Sequence, residues 1–103
     1  MKVSKNAKTL DDIRNIIISH MDDLQSRYGV KKIGIFGSYV REGQKKKSDV
    51  DVLVVFTGTP DFIEFLRLEE HLATLLGIKV DLVTKDALKP HIGKRILEEV
   101  VYL

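Results

Sequence analysis

Two aspartates, Asp49 and Asp51, stand one residue apart at the head of an apolar run, Asp49-Val50-Asp51-Val52-Leu53-Val54-Val55-Phe56. In an extended chain alternate side chains share a face, so both carboxylates project to one side with Cα atoms about 6.8 Å apart, while Val50, Val52 and Val54 take the other. Like charges so placed repel, and a divalent cation relieves the repulsion. Hard oxygen ligands select magnesium or manganese over zinc, and a pair of such ions is the usual clamp for phosphoryl chemistry. Two surface aspartates at a strand start would read the same way, so the weight of the pair depends on what surrounds it.

Gly37-Ser38 is separated from Asp49 by ten intervening residues and comes directly after a second strand-like run, Val30 to Phe36. A glycine between a strand and a short helix lets the backbone approach a phosphate closely, while a serine hydroxyl and the first amides of the helix face the anion. Taken alone the pair is an ordinary turn. Neither G-x-x-x-x-G-K-[ST] nor G-x-G-x-x-G occurs, so the phosphate grip is of another kind. Asp81 supplies a third carboxylate within Ile78 to Val83, where Ile78, Val80 and Leu82 face one way and Lys79, Asp81 and Val83 the other. If this strand neighbours the one bearing Asp51, at about 4.8 Å, Asp81 stands beside it and completes a three-carboxylate site. Otherwise it is a paired aspartate on an open face.

The elements that must position these residues follow from periodicity. Thr9 suits a helix N-cap with Asp11 and Asp12 in the first turn, and Leu10, Ile13, Ile17, Met21, Leu24 and Tyr28 recur at helical spacing. One amphipathic helix is expected over 10–28, ending at Gly29. Strands follow over Val30 to Phe36 and Asp49 to Phe56, the second central and covered on both faces, with a short helical piece from Tyr39 to Glu42 and a polar loop between. Thr59 and Pro60 suit an N-cap and first helical position, and Phe62, Leu66, Leu72, Leu75 and Leu76 form the expected buried stripe of a helix closed by Gly77. After the strand from Ile78 to Val83 come a helical turn near Asp86, a break at Pro90, and a terminal helix or strand over Ile92 to Leu103. The expected fold class is α/β (α+β), a small mixed sheet of three to four strands with helices packed on one face.

The 103 residues are expected to form a single domain, 1–103, with 44% apolar and 31% charged residues sufficient for one modest core. No apolar run is long enough to span a bilayer and the first eight residues lack a signal-like core, which makes the cytoplasm the expected compartment. Without cysteine there is neither a disulfide framework nor a thiolate metal site. A net charge of +2 gives no field that would indicate nucleic acid directly.

In combination, Gly37-Ser38, ten residues, Asp49-Val50-Asp51 and a later strand bearing Asp81 resemble the DNA polymerase beta-like nucleotidyltransferase superfamily. The segment I-F-G-S-Y-V-R-E-G-Q-K-K-K-S-D-V-D-V-L-V-V is similar to the minimal nucleotidyltransferases of prokaryotes, antitoxins often encoded beside a HEPN-domain protein. The likeness runs from the first helix to about Val83 and leaves no stretch for a further domain. Val40 stands where many members carry alanine, and Glu42 separates Arg41 from Gly43. The resemblance implies that Asp49, Asp51 and Asp81 are catalytic residues and hold two magnesium ions (manganese in their place), with Asp81 also orienting or deprotonating an acceptor hydroxyl. It implies that Gly37, Ser38, Arg41 and Ser48 bind the nucleotide, that ATP is the substrate, and that AMP is transferred to a tyrosine of a HEPN toxin.

Two other functions fit the same residues. One is a silent antitoxin that binds a nucleotide or a partner without turnover, although three neighbouring like charges have no physical use in a pure binding module. The other is a transferase for a small hydroxylated molecule, which would ordinarily need a second domain to enclose its substrate. Lys45, Lys46 and Lys47 could shield a triphosphate or simply form a solvated turn. His20, His71 and His91 are expected to be structural or exposed.

Overall fold

A computed structural model of the chain describes residues 9–37, 40, 49–87 and 90–103. Within them the chain runs as α1 (Leu10–Ser19), α2 (Met21–Tyr28), β1 (Val30–Phe36), β2 (Val50–Phe56), α3 (Phe62–Leu76), β3 (Val80–Thr84), a 3₁₀ turn (Lys85–Ala87), α4 (Pro90–Glu99) and β4 (Val101–Tyr102). The four strands form one sheet in the order β3-β2-β1-β4. β1 is antiparallel to both β2 and β4, and β2 is parallel to β3, so the sheet is mixed as expected.

Alternation in β1 and β2 sorts the residues cleanly. Ile33, Ile35, Val50, Val52, Val54, Val80 and Leu82 join Ile13, Ile17, Leu24, Leu68, Leu72 and Leu76 in a single buried core beneath the helices. Burial of each such aliphatic side chain contributes about 1.5–3 kcal/mol. The opposite face carries Gly34 and Phe36 from β1, Asp51 and Leu53 from β2, and Asp81 and Val83 from β3, as the registers Phe36↔Asp51↔Asp81 and Gly34↔Leu53↔Val83 require. Leu53 is nevertheless fully buried, so this second face is not open along its whole length.

Several expected boundaries shift, each for a local reason. The single helix over 10–28 is two helices, broken at His20, whose φ and ψ are −110° and 7°. Ser19 Oγ donates to the carbonyl of Ile16 at 2.8 Å and His20 Nδ1 lies 2.9 Å from the same oxygen. The His20 amide turns instead to Ile17 O, and the last turn tightens. The apolar stripe survives the break, with Ile13, Ile17 and Leu24 fully buried. At the start of α1 the Thr9 hydroxyl accepts from the Asp12 amide while the Asp12 carboxylate accepts from the Thr9 amide, a reciprocal capping box.

The cap of α3 is Asp61, not Thr59: its carboxylate accepts from Glu64 N at 2.8 Å, a charge-assisted bond that a hydroxyl two residues earlier does not match. The buried stripe is accordingly Leu68, Leu72 and Leu76, whereas Phe62 and Leu66 point outward at 71% and 40% exposure. The helical turn near Asp86 and the terminal helix are separate elements, as expected, with Pro90 the first residue of α4, where the missing amide costs nothing. The tail is then both helix and strand, α4 followed by β4. The short helical piece from Tyr39 to Glu42 is described only at Val40, which is helical.

Candidate functional site

β2 begins immediately after Asp49, and the Val50 amide donates to Lys79 O at 3.0 Å, tying the starts of β2 and β3 together. One residue on, Asp51 pairs with Asp81 in the parallel register, which places the two carboxylates on the same face of adjacent strands, about 4.8 Å apart in backbone. The condition set by the sequence, that the two strands be neighbours, is met. Asp49 and Asp81 are exposed and Asp51 is half-buried.

On its other side Asp51 pairs with Phe36, the last residue of β1, so its carboxylate comes to rest against the turn that follows. Gly37 occupies that turn at φ 83°, a left-handed conformation that favours glycine. A Cβ there would collide with Oδ2 of Asp51 and lie 3.0 Å from its Cγ. Glycine at this position therefore does two things: it turns the chain out of β1, and it leaves the space that the Asp51 carboxylate fills.

The Gly37 amide donates to Glu99 Oε2 at 2.9 Å, across 62 residues of sequence. Glu99, the last residue of α4, is absent from the expectations above, and no local signal marks it. Its position follows from β4: with Val101 opposite Ile35 and Tyr102 opposite Gly34, continuing the antiparallel register by two residues brings Glu99 across from Gly37. Val100 and Tyr102 in turn pack on Gly34, where a Cβ would meet Val100 Cγ2 at 2.5 Å and Tyr102 Cδ1 at 3.1 Å.

The site is thus assembled at one end of the sheet from the end of β1, the starts of β2 and β3, and the last residue of α4. Its donors are carboxylate oxygens, the hard set that magnesium takes. Among the described residues no three acidic or histidine side chains close on a common point as a finished metal centre would. Ser38, Arg41, Lys45, Lys46, Lys47 and Ser48 lie outside the described residues. Of the histidines, His20 closes α1, and His71 stacks near Tyr28 with ring centroids 5.6 Å apart and its Nε2 4.0 Å from Asp23 Oδ2. The side chain of His91 is outside the described set.

Residues 17–103 match the nucleotidyltransferase domain family. The protein adenylyltransferase MntA of Thermococcus cleftensis is 50% identical over 95 residues, which cover 92% of this chain and 96% of that protein. A solved toxin–antitoxin structure with AMP-PNP aligns with a TM-score of 0.70 at 28% identity, over 85% of this chain and 69% of that one. A chain of the solved complex of a tri-AMPylated Shewanella oneidensis HEPN toxin with its MNT antitoxin aligns with a TM-score of 0.64 at 22% identity, over 87% of this chain and 70% of that one, a likeness of fold.

Proposed function

Because this chain belongs to the nucleotidyltransferase domain family, we propose that it transfers AMP from ATP to a hydroxyl of a partner protein, and that the partner is a HEPN-domain toxin. It is an enzyme of the nucleotidyltransferase class. Support for protein as the acceptor comes from a relative of half-identical sequence that is itself a protein adenylyltransferase. Support for the partner comes from structural neighbours that are toxin–antitoxin complexes, one holding a nucleotide analogue and one an AMPylated HEPN toxin. Among the described residues no helix is long and apolar enough to cross a membrane. The proposed setting is the cytoplasm, where ATP and the toxin would meet, and the proposed working unit is one domain over residues 1–103.

The observation that carries this reading is the Asp51–Asp81 register beside the Gly37 turn. Asp49, Asp51 and Asp81 are the proposed holders of two magnesium ions, which when bound neutralise the triphosphate and sharpen the electrophilicity of its α-phosphorus. Gly37 and Ser38 would lie along the β- and γ-phosphates, with Arg41 and Ser48 completing the nucleotide set. Asp81, exposed at the open end of β3, is free to meet a hydroxyl arriving from outside, orient it and take its proton. The hydroxyl oxygen bonds to the α-phosphorus as the bond to the β-phosphate bridging oxygen breaks, and pyrophosphate leaves with the electron pair. No protein nucleophile takes part, so rate comes from alignment and charge neutralisation.

Mass spectrometry of a HEPN partner coexpressed with wild type or with an Asp49→Asn/Asp51→Asn double variant tests this reading. One or more AMP units should appear on the partner only with the wild type. A partner left unmodified, yet inhibited equally by both versions, identifies a binding-only antitoxin.

A further inference from the structure

We propose that Glu99 is a positioning residue for the nucleotide site: by accepting the Gly37 amide it holds the turn after β1 in the left-handed conformation against which Asp51 is seated. The proposal rests on the reading above that Asp51 belongs to that site. Three observations converge on it. The bond is 2.9 Å, partly buried, and made by a carboxylate, the stronger class of acceptor for a backbone amide. Glu99 is delivered by a built structure, since the β1–β4 register, the Leu103 amide bonded to Ile33 O at 2.9 Å and the Val100 amide bonded to Ile96 O at 2.8 Å fix the chain on both sides of it. The same turn is gripped from its Cα side by the Asp51 carboxylate, which leaves no room for a side chain.

A turn at φ 83° held from both sides is set before any ligand arrives, and ordering it on binding would otherwise subtract from affinity. Glu99 thereby makes the C-terminal helix part of the nucleotide site although it contributes no group to the reaction.

The test uses the full chain, magnesium and a nonhydrolysable ATP analogue, with affinity measured by titration calorimetry and hydrogen exchange of the Gly37 amide followed by NMR. Glu99→Ala should lose the protection of that amide and weaken analogue binding about tenfold, the loss of one charge-assisted hydrogen bond. Glu99→Gln keeps an acceptor oxygen at the same reach and should restore both readouts to within about threefold of wild type. A role confined to fold stability would lower the melting temperature of Glu99→Ala while leaving the folded protein's affinity unchanged, and that result overturns the proposal. So does tighter binding in both variants, which would make Glu99 a competitor of the phosphates. Asp51→Asn serves as the companion: if it binds the magnesium-loaded analogue as tightly as wild type, the site reading fails, while Gly37 exchange still decides whether Glu99 holds the turn.

Discussion

The two ends of β2 differ in kind. At its start, next to the exposed Asp49, Asp51 stands beside Asp81 and rests against the Gly37 turn. Toward its far end, about 17 Å along the strand at Phe56, lies a hollow of about 430 Å³ lined by Val54, Phe56, Pro60, Phe62, Phe65 and Lys85 among others. Thr59, Asp61 and Thr84 also line it, and none of the aspartates of the β2 start does. Phosphoryl transfer needs fixed charge and an approach for the acceptor more than it needs walls, because the triphosphate brings its own binding energy and the acceptor belongs to another molecule. The apolar hollow at Phe56 and the paired carboxylates at Asp51 therefore lie toward opposite ends of the same strand.

Substitutions at the two ends should separate accordingly. The largest effect is expected for Asp49→Asn or Asp51→Asn, which should cut magnesium-dependent transfer from labelled ATP by at least about a hundredfold while leaving the fold intact. Undiminished labelling in both variants would move the chemistry elsewhere on the molecule. Next comes Gly37→Val, which places a branched side chain at a left-handed φ and against the Asp51 carboxylate. Its backbone cost alone is about 1–2 kcal/mol. In the wild type, magnesium and ATP at a hundredfold excess over Kd should raise the melting temperature by roughly 10 °C. Gly37→Val should lose most of that gain, and full protection of this variant would show that the phosphates bind away from the turn.

Gly34→Val sharpens the contrast from within the sheet. It collides with Val100 and Tyr102, and overpacking of this kind costs about 1–3 kcal/mol. Thermal denaturation reads the stability loss directly. Because displacement of β4 also displaces Glu99, analogue affinity should fall as well, and an unchanged affinity would uncouple the C-terminal segment from the site. The smallest effect belongs to the opposite end. Phe62 is 71% exposed, so Phe62→Ser should change stability by no more than about 0.5 kcal/mol and leave nucleotide binding untouched. A loss of ATP affinity in this variant would mean that the apolar hollow, and not the charged end, holds the nucleotide.

How much of this was legible beforehand depends on the range of the interaction responsible. The cap at Thr9 and the left-handed glycines at 29 and 77 obey rules that span three or four residues, and all three stand where the sequence puts them. The strand alternation that sends Val50, Val52 and Val54 into the core while turning Asp51 outward is equally local. Where two local rules compete, the outcome was not legible. Thr59 and Asp61 are both competent caps, and a carboxylate bond won; Ser19 and His20 both offer a side chain to one carbonyl, and a helix broke.

The residues of the site divide along the same line. Sequence by itself determined that Gly37-Ser38 precedes Asp49-Val50-Asp51 by a loop of fixed length, and that Asp81 shares a strand face opposite Val80 and Leu82. Only the tertiary structure decided that Asp81 sits beside Asp51, because a parallel pairing through the α3 crossover sets its own register and no local preference encodes it. Only the tertiary structure decided that Glu99 reaches Gly37. That contact spans 62 residues and depends on β4 docking along β1, on a glycine at 34 that permits Val100 to approach, and on the helix that carries Glu99 ending where it does. Periodicity and short motifs report what a segment prefers on its own. Contacts between distant segments form when the core closes, and their identity resides in the packed whole.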